Sequence, residues 1–555
     1  MYNEIGRVNM KKHNSFKVVL ITIFVVALCT WIFPSAQFST QLIEGERVQA
    51  GLFDVFSYPM VALYYFMNIF VFVIACGAFY GVAYRIPAYK KLLEKITAGF
   101  KGRENIFLVL MIVLIAALVS VTGISFPIVF IFPLVISIIL MMGYNKLVAA
   151  SVTVGSTIVG IAGTTLGTTT VGYVNYLLGT DTFDEMITKV IILVVLTVLL
   201  VANVLLYAKK TKRVVEEKKE ELAHDDKVKE VKKEESVKAV SSKSETKKEH
   251  VEDTKKETSK KKDTTKSTKT TKTKTKTKGR KSNSTKGKTR AAFAKSSDEV
   301  IQVEIANGKS KKVRVWPFVI IFDLIVIILA ICMFDWEGLF GITWFTDATD
   351  AIVGYEVGGF PIFSKLLGTF NAFGSWSLNV EVPAMILIFT CILALVYRVK
   401  WSDFIDGVVD GAKRCAPVAT VMLLIFTVLI LVTYHPFQLS ITKVLLDFST
   451  GLNVVTMSII AMFSSFFNAD LTYVAQSTLP YVTSVITDSS LYPLLAVIFQ
   501  SIYGLMMLIA PTSIILLGTL TYLDVPYTQW LKHIWKLFVQ FLIVLIIIFL
   551  IVLAV

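Results

Sequence analysis

Asp470 is the sharpest chemical feature of the chain. It falls in Asn468-Ala-Asp-Leu-Thr-Tyr-Val-Ala-Gln-Ser-Thr478, a polar patch between apolar residues 454–467 and 479–486. A carboxylate at membrane depth is costly and marks function by default. It could hold Na⁺, carry a coupling proton, or pair with a substrate ammonium group. The plainer alternative is a carboxylate in water at the outer mouth. Asn468, Gln476, Ser477 and Thr478 add amides and hydroxyls suited to a carboxylate or a hard cation. Three more polar clusters interrupt apolar sequence. Thr122, Gly123 and Ser125 lie in Ser120-Val-Thr-Gly-Ile-Ser125. Gly163, Thr164, Thr165 and Thr168 crowd the middle of 147–178. Pro511, Thr512 and Ser513 break 491–522. Together these residues outline a neutral, hydroxyl-lined substrate cavity, with Asp470 as the ion-coupling group. No Lys or Arg falls inside the clusters. A strongly anionic solute would therefore rely on helix dipoles and a co-bound cation. A zwitterionic amino acid or a monocarboxylate fits at least as well as a dicarboxylate. Gly, Ser and Thr also serve simply to let membrane helices pack, but four matched discontinuities favour a binding site.

Other chemistry is absent from the sequence. No phosphate-binding loop is present, so ATP drive and enzyme activity are not expected. No cofactor is called for beyond Na⁺ or H⁺ as a coupling ion. Cys29, Cys76, Cys332, Cys391 and Cys415 lie in or beside apolar runs and form neither a metal motif nor a disulfide framework. His435, beside Pro436, reads as a helix-end residue. His13, His224 and His250 lie in polar tails.

The elements that must position these groups are membrane helices. Apolar residues make up 54% of the 555, and they come in long runs rather than the scattered pattern of soluble domains. Runs at 16–33, 58–84, 106–121, 124–142, 186–207, 316–333, 383–397, 418–434 and 535–555 read as spans or half-spans. The 106–142 pair reads either as two spans or as one re-entrant hairpin. Residues 87–100 and 437–448 read as interfacial helices. Basic residues at the N-terminus and after Tyr84 hold both segments in the cytoplasm, leaving 35–57 and 334–379 outside. The chain reads as a multi-pass cell-membrane protein in three parts: a first membrane repeat (1–208), an insert (209–315) and a second membrane repeat (316–555).

The insert carries the charge. It holds 35 Lys and Arg against 18 Asp and Glu, whereas the remainder holds 21 against 23. It is rich in Lys, Thr, Ser and Glu, with Thr-Lys alternation at 271–278. Such a segment cannot bury enough apolar surface to order itself and is expected to be disordered and cytoplasmic, with Glu/Lys spacing at 215–240 compatible with transient helix. It reads as a solvated linker or as an attachment to anionic membrane lipids. Nucleic acid is not expected as a partner, because Phe293 is its one aromatic.

The two membrane parts read alike. Phe53-Asp-Val-Phe leads, about thirty residues on, into Ala83-Tyr-Arg-Ile-Pro87. Phe404-Ile-Asp-Gly leads, at nearly the same distance, into Thr433-Tyr-His-Pro436. An interfacial helix, a hairpin and a long broken span follow each, and the charges give the copies opposite orientation. Inverted repeats with paired, Gly/Pro-interrupted hydrophobic segments point to secondary transporters. Broken helices leave N–H and C=O groups unpaired at membrane depth, tolerable only where they line a polar cavity or meet a ligand. A passive channel, or a membrane tether with a degenerate transport fold whose basic insert binds anionic lipid or nucleic acid, is the alternative.

Pro511-Thr-Ser-Ile-Ile-Leu-Leu-Gly-Thr-Leu, with Val525-Pro-Tyr-Thr-Gln-Trp-Leu-Lys532, resembles the C-terminal signature of the YfcC/C4-dicarboxylate anaerobic carrier family of the ion transporter superfamily. Gly51-Leu-Phe-Asp-Val-Phe56, Thr122-Gly-Ile-Ser-Phe126, Pro133-Leu through Gly143-Tyr, and Phe466-Phe-Asn468 are similar to it as well. The likeness spans the membrane body and leaves out the insert. It implies an all-α polytopic fold with a scaffold and a transport domain, two re-entrant hairpins, two broken helices, elevator-type movement and a homodimer. It implies solutes that are organic anions or amino acids, moved by ion-coupled symport or exchange. The chain departs from the family at three places. Pro127-Ile-Val-Phe130 stands where a pair of acidic residues is usual. Gly167-Thr168 stands for Asn-Pro. Residues 468–478 replace a Ser/Gly-rich hairpin.

Overall fold

The computed structural model describes residues 14–38, 42–45, 48–211, 313–368, 371–376, 380–447 and 451–554. The expectations for the N-terminal tail and for the disordered, partly helical insert fall on residues outside this set.

Among the described residues, seven helices are long and apolar enough to cross a membrane, and shorter apolar helices accompany them. The first half begins with α1 (Asn14–Ile32), a two-stranded antiparallel hairpin of β1 (Ala36–Phe38) and β2 (Leu42–Glu44), and α2 (Leu52–Ala83). Then come α3 (Pro87–Gly99), α4 (Glu104–Thr122), a 3₁₀ turn at Pro127–Ile131 and α5 (Phe132–Met141). A broken pair, α6 (Lys146–Ala162) and α7 (Thr168–Leu178), leads into α8 (Met186–Thr211). After the insert, α9 (Trp316–Cys332) enters a segment of three short helices, α10 (Trp336–Phe340), α11 (Trp344–Val353) and α12 (Ile362–Leu367), and a strand pair, β3 (Glu356–Val357) and β4 (Phe360–Pro361). The second half repeats the order of the first. It runs α13 (Glu381–Val396), α14 (Trp401–Tyr434), α15 (Gln438–Asp447), α16 (Val454–Phe467), α17 (Leu471–Val485), the broken pair α18 (Tyr492–Met506) and α19 (Ile514–Leu523), and α20 (Tyr527–Ala554).

Packing follows the same correspondence. α1 lies on α14 and α13 lies on α2, while α4 packs on the end of α6 before its break as α16 packs on α18. The longest contact joins α2 to α14 and is made possible by glycine. A Cβ at Gly77 would fall 2.7 Å from Gly411 O, and one at Gly81 would fall 2.7 Å from Gly411 Cα and closer still to Gly407 O. Gly77 thus faces Gly411 and Gly81 faces Gly407, so the two helices run antiparallel. Gly77-x-x-x-Gly81 and Gly407-x-x-x-Gly411 bring the backbones together because no side chain separates them. Arg85 then pairs with Asp410 (2.6 Å) at the end of the crossing.

Several elements differ from the sequence expectation. The basic residues Arg398, Lys400, Lys413 and Arg414 between the runs 383–397 and 418–434 are expected in a loop; Arg398 and Lys400 lie in a short turn, but Lys413 and Arg414 lie within α14, which starts at Trp401 and runs through Pro417. At 1.5 Å per residue it is about 51 Å long, against a hydrocarbon core of ~30 Å. Its first turns carry the charges and so extend beyond the apolar layer. Within the polar patch 468–478, Leu471–Thr478 is the start of α17. Asp470 caps it, and no glycine or proline interrupts it until Pro480. α2 departs from helical geometry at Phe66 (φ −118°, ψ 23°), whose ring stacks on Phe426 of α14 at 4.0 Å. The helix expected at 87–100 is present as α3, and its Ala88, Tyr89, Leu92 and Leu93 are buried in protein.

Candidate functional site

The four polar clusters fall at four places where helices stop. α4 ends at Gly123, whose φ of +70° lets the chain reverse as an L-residue rarely can. α6 ends at Ala162, and α7 starts after Gly167. Gly123 and Gly167 meet backbone to backbone, since a Cβ on Gly123 would come within 2.9 Å of Gly167 Cα. α16 ends at Phe467, and Asp470 opens α17. α18 gives way to Met507–Pro511, and Ser513 caps α19 by accepting the Leu516 N–H (3.3 Å).

A stopped helix leaves carbonyls without partners, and buried carbonyls need them. In the first half, Ser120 Oγ donates to Gly163 O (2.7 Å), and Thr165 N–H donates back to Ser120 O (3.0 Å). Gly123 O accepts from Thr169 Oγ1 (3.0 Å) and Thr170 Oγ1 (3.1 Å). Thr164 Oγ1 turns onto its own helix, to Ile161 O (2.8 Å), and Thr122 Oγ1 does the same to Leu118 O (2.6 Å). In the second half, Thr512 Oγ1 donates to Phe466 O (2.8 Å). Asn468 Nδ2 reaches Ser464 O (2.9 Å) and Gln438 Oε1 (3.2 Å), and Thr478 Oγ1 reaches Ser464 Oγ (3.1 Å). Trp530 Nε1 donates to Leu508 O (2.9 Å), and the Tyr527 hydroxyl donates to Ile509 O.

One turn of α18 joins the halves. Gln500 Nε2 donates to Thr164 O (2.8 Å) and, more weakly, to Ala162 O (3.4 Å). Ser501 Oγ donates to Ala162 O (2.8 Å). Tyr503 OH donates to Ala469 O (3.0 Å) at the tip of the second hairpin. Gly504 lets α18 approach, because a Cβ there would lie 2.6 Å from Ala162 N. First hairpin tip, first break, α18 and second hairpin tip are thereby linked by successive hydrogen bonds, and Thr512 ties in the second break.

Of the residues singled out from sequence, Thr122, Gly123, Gly163, Thr164, Thr165, Asn468, Thr478, Pro511, Thr512 and Ser513 are buried in this network or beside it. Ser125 and Thr168 are half-buried at its edge. Gln476 and Ser477 stand apart from the tip, on the exposed face of α17. Asp470 is also exposed, and its Oδ1 accepts the Thr472 N–H (2.7 Å) as a helix cap. Sequence reasoning passed over Ser120, Gln500, Ser501 and Tyr503, although Gln500 is a lone amide in an apolar run. It also passed over Lys189. This is the one Lys, Arg, Asp or Glu buried among the described residues, and its Nζ donates to Thr182 O (2.9 Å). It stands one turn before Leu193, the α8 residue against which Gly163 packs. At the first hairpin, Pro127-Ile-Val-Phe130 forms a 3₁₀ turn packed on α2, where Tyr80 OH donates to Phe130 O (2.7 Å). No group with its own charge stands there.

Two halves of the same order, antiparallel at their glycine crossing, with paired hairpins and paired broken helices, make this an all-α multi-pass membrane protein. The sequence model of the C4-dicarboxylate anaerobic carrier family (DcuC) matches residues 13–245 and 270–555. The chain belongs to that family, which is one of carriers rather than enzymes. The match enters the insert from both sides, further than the resemblance at the membrane helices implied. Searches of curated proteins and of solved structures find no match.

Proposed function

We propose that the protein is a secondary carrier for small organic anions, C4-dicarboxylates first, with the joined breaks of α6/α7 and α18/α19 and the two hairpin tips as the solute site. The observation that carries this reading is the convergence of all four discontinuities through Gln500, Ser501, Tyr503 and Thr512. The first turn of α7 supports it too. Gly167 gives that helix no side-chain cap, and Thr168 and Thr169 flank its N–H groups at the accessible edge of the network. Helix N-termini favour carboxylates. Asp470 is the coupling group in this reading, carrying a proton at the tip of the second hairpin. The N-terminus and the insert lie in the cytoplasm, the insert against anionic lipid, and the carrier works as a homodimer.

The test is counterflow in proteoliposomes loaded with a four-carbon dicarboxylate. Labelled dicarboxylate should enter and saturate, and monocarboxylates and amino acids should compete weakly. Strong competition by an amino acid, with none by dicarboxylates, would overturn the solute class. Flux that neither saturates nor depends on internal solute would indicate a channel.

A further inference from the structure

The carbonyls at the first break, from Gly160 to Thr164, all accept side-chain hydrogen bonds. Where a helix is broken in a membrane, the freed carbonyls point inward and attract a cation. Here three consecutive carbonyls already have partners. Ala162 O accepts from Ser501 Oγ (2.8 Å) and Gln500 Nε2 (3.4 Å). Gly163 O accepts from Ser120 Oγ (2.7 Å), and Thr164 O accepts from Gln500 Nε2 (2.8 Å). Ile161 O and Gly160 O take Thr164 Oγ1 (2.8 and 3.1 Å). The donors are neutral, and Ser120, Thr164, Gln500 and Ser501 are all buried. They are also held from two sides, since Ser120 comes from the first hairpin and Gln500 and Ser501 come from the other half of the molecule.

We propose that the Gln500 amide, with the hydroxyls of Ser501 and Ser120, stands in for a bound cation at the first break, so that the carrier operates without Na⁺ there. An amide NH₂ bridging two carbonyl oxygens supplies the positive edge that a hard cation would otherwise supply, with no charge to desolvate. Gln500 is then a positioning residue. It fixes the carbonyls of α6 and leaves the N–H end of α7 as the part of the break that faces the solute. The inference rests on the solute-site reading above, and its primary test needs no solute.

Purified full-length protein is unfolded thermally while NaCl replaces KCl or choline chloride at constant ionic strength. A ligand that binds only the folded state raises the melting temperature in a saturable way. Wild type is expected to melt at the same temperature in all three salts, and a saturable, Na⁺-specific rise would overturn the proposal. Gln500→Glu places a carboxylate against two carbonyl oxygens, an arrangement that requires a cation or a proton. It should gain a rise of several degrees with Na⁺ or with falling pH. A folded Gln500→Glu protein indifferent to both would also overturn the surrogate role. Should the variant not fold, the wild-type comparison still decides. Counterflow in Na⁺ and in K⁺ media separates the two readings. Equal exchange in both supports the inference, and a requirement for Na⁺ overturns it. Loss of exchange in both media strikes the solute reading and leaves the thermal result standing.

Discussion

Asp470→Asn separates the two tasks that Asp470 has in this structure. Its Oδ1 accepts the Thr472 N–H at 2.7 Å, which caps α17. Asn caps a helix about as well as Asp, whereas Ala at such a position costs about 1 kcal/mol. The lost negative charge near the helix N-terminus adds a few tenths of a kcal/mol at most, because the group is exposed and solvent screens it. Asn should therefore leave the melting temperature close to wild type, and Ala should lower it by about 1 °C in a chain of this size. Transport should divide the variants differently. If Asp470 carries the coupling proton, Asn removes that step completely. Exchange of internal for external solute should survive, and accumulation driven by an inward proton gradient should fall to the level of ionophore-treated vesicles. Both fluxes are read in the same proteoliposomes. Gradient-driven accumulation by Asp470→Asn equal to wild type would refute the coupling assignment and leave Asp470 as a cap.

Thr512→Ala removes the donor to Phe466 O and leaves a buried carbonyl unpaired, a loss of about 1–3 kcal/mol; the expected result is a lower melting temperature and a raised KM for counterflow. Gly411→Val forces a side chain into Gly77 O at the α2/α14 crossing, so folded, monodisperse protein should be lost on size-exclusion chromatography, whereas Gly99→Ala, which meets nothing within 4 Å, should behave as wild type. Deleting residues 215–305 should leave counterflow intact. A deletion protein that inserts and folds but does not exchange would shift the working part of the molecule to the insert.

The sequence made the discontinuities legible because glycine, proline and clustered hydroxyls punctuate otherwise apolar runs. Gly123, Gly163, Gly167 and Pro511 all mark real helix ends. The repeated order of the halves was legible in the same way, from Ile86-Pro87 and His435-Pro436 after α2 and α14, while their opposite orientation was read from the charges. The partners were not. Ser120, Gln500 and Tyr503 act on carbonyls 34 or more residues away, and nothing local distinguishes them from ordinary polar residues in a membrane helix. The second hairpin misled for a related reason. Its polar residues through Thr478 read as one patch contributing together to the site, but polarity in a membrane sequence does not stop a helix when the backbone can continue its own hydrogen bonds. Gln476 and Ser477 thus lie on a helix face rather than at the tip. The start of α14 was hidden likewise, because its charges masked a continuous helical run.

The two breaks meet the same requirement by unequal means. The second break's carbonyls are satisfied from within its own half, by Tyr527 and Trp530 on α20, and its Thr512 in turn donates to Phe466 O at the end of α16. The first is satisfied partly by its own hairpin, through Ser120, and partly by α18 of the other half, through Gln500 and Ser501. α18 is therefore the element whose position bears on both the first break and the second hairpin tip. A shift along α6 of even a fraction of a turn would take Gln500 from Thr164 O and Ser501 from Ala162 O, and would draw Tyr503 from Ala469 O. Like order of elements in the two halves thus does not make their hydrogen bonding alike. The first break and the second hairpin tip are both hydrogen-bonded to one turn of helix, residues 500–503.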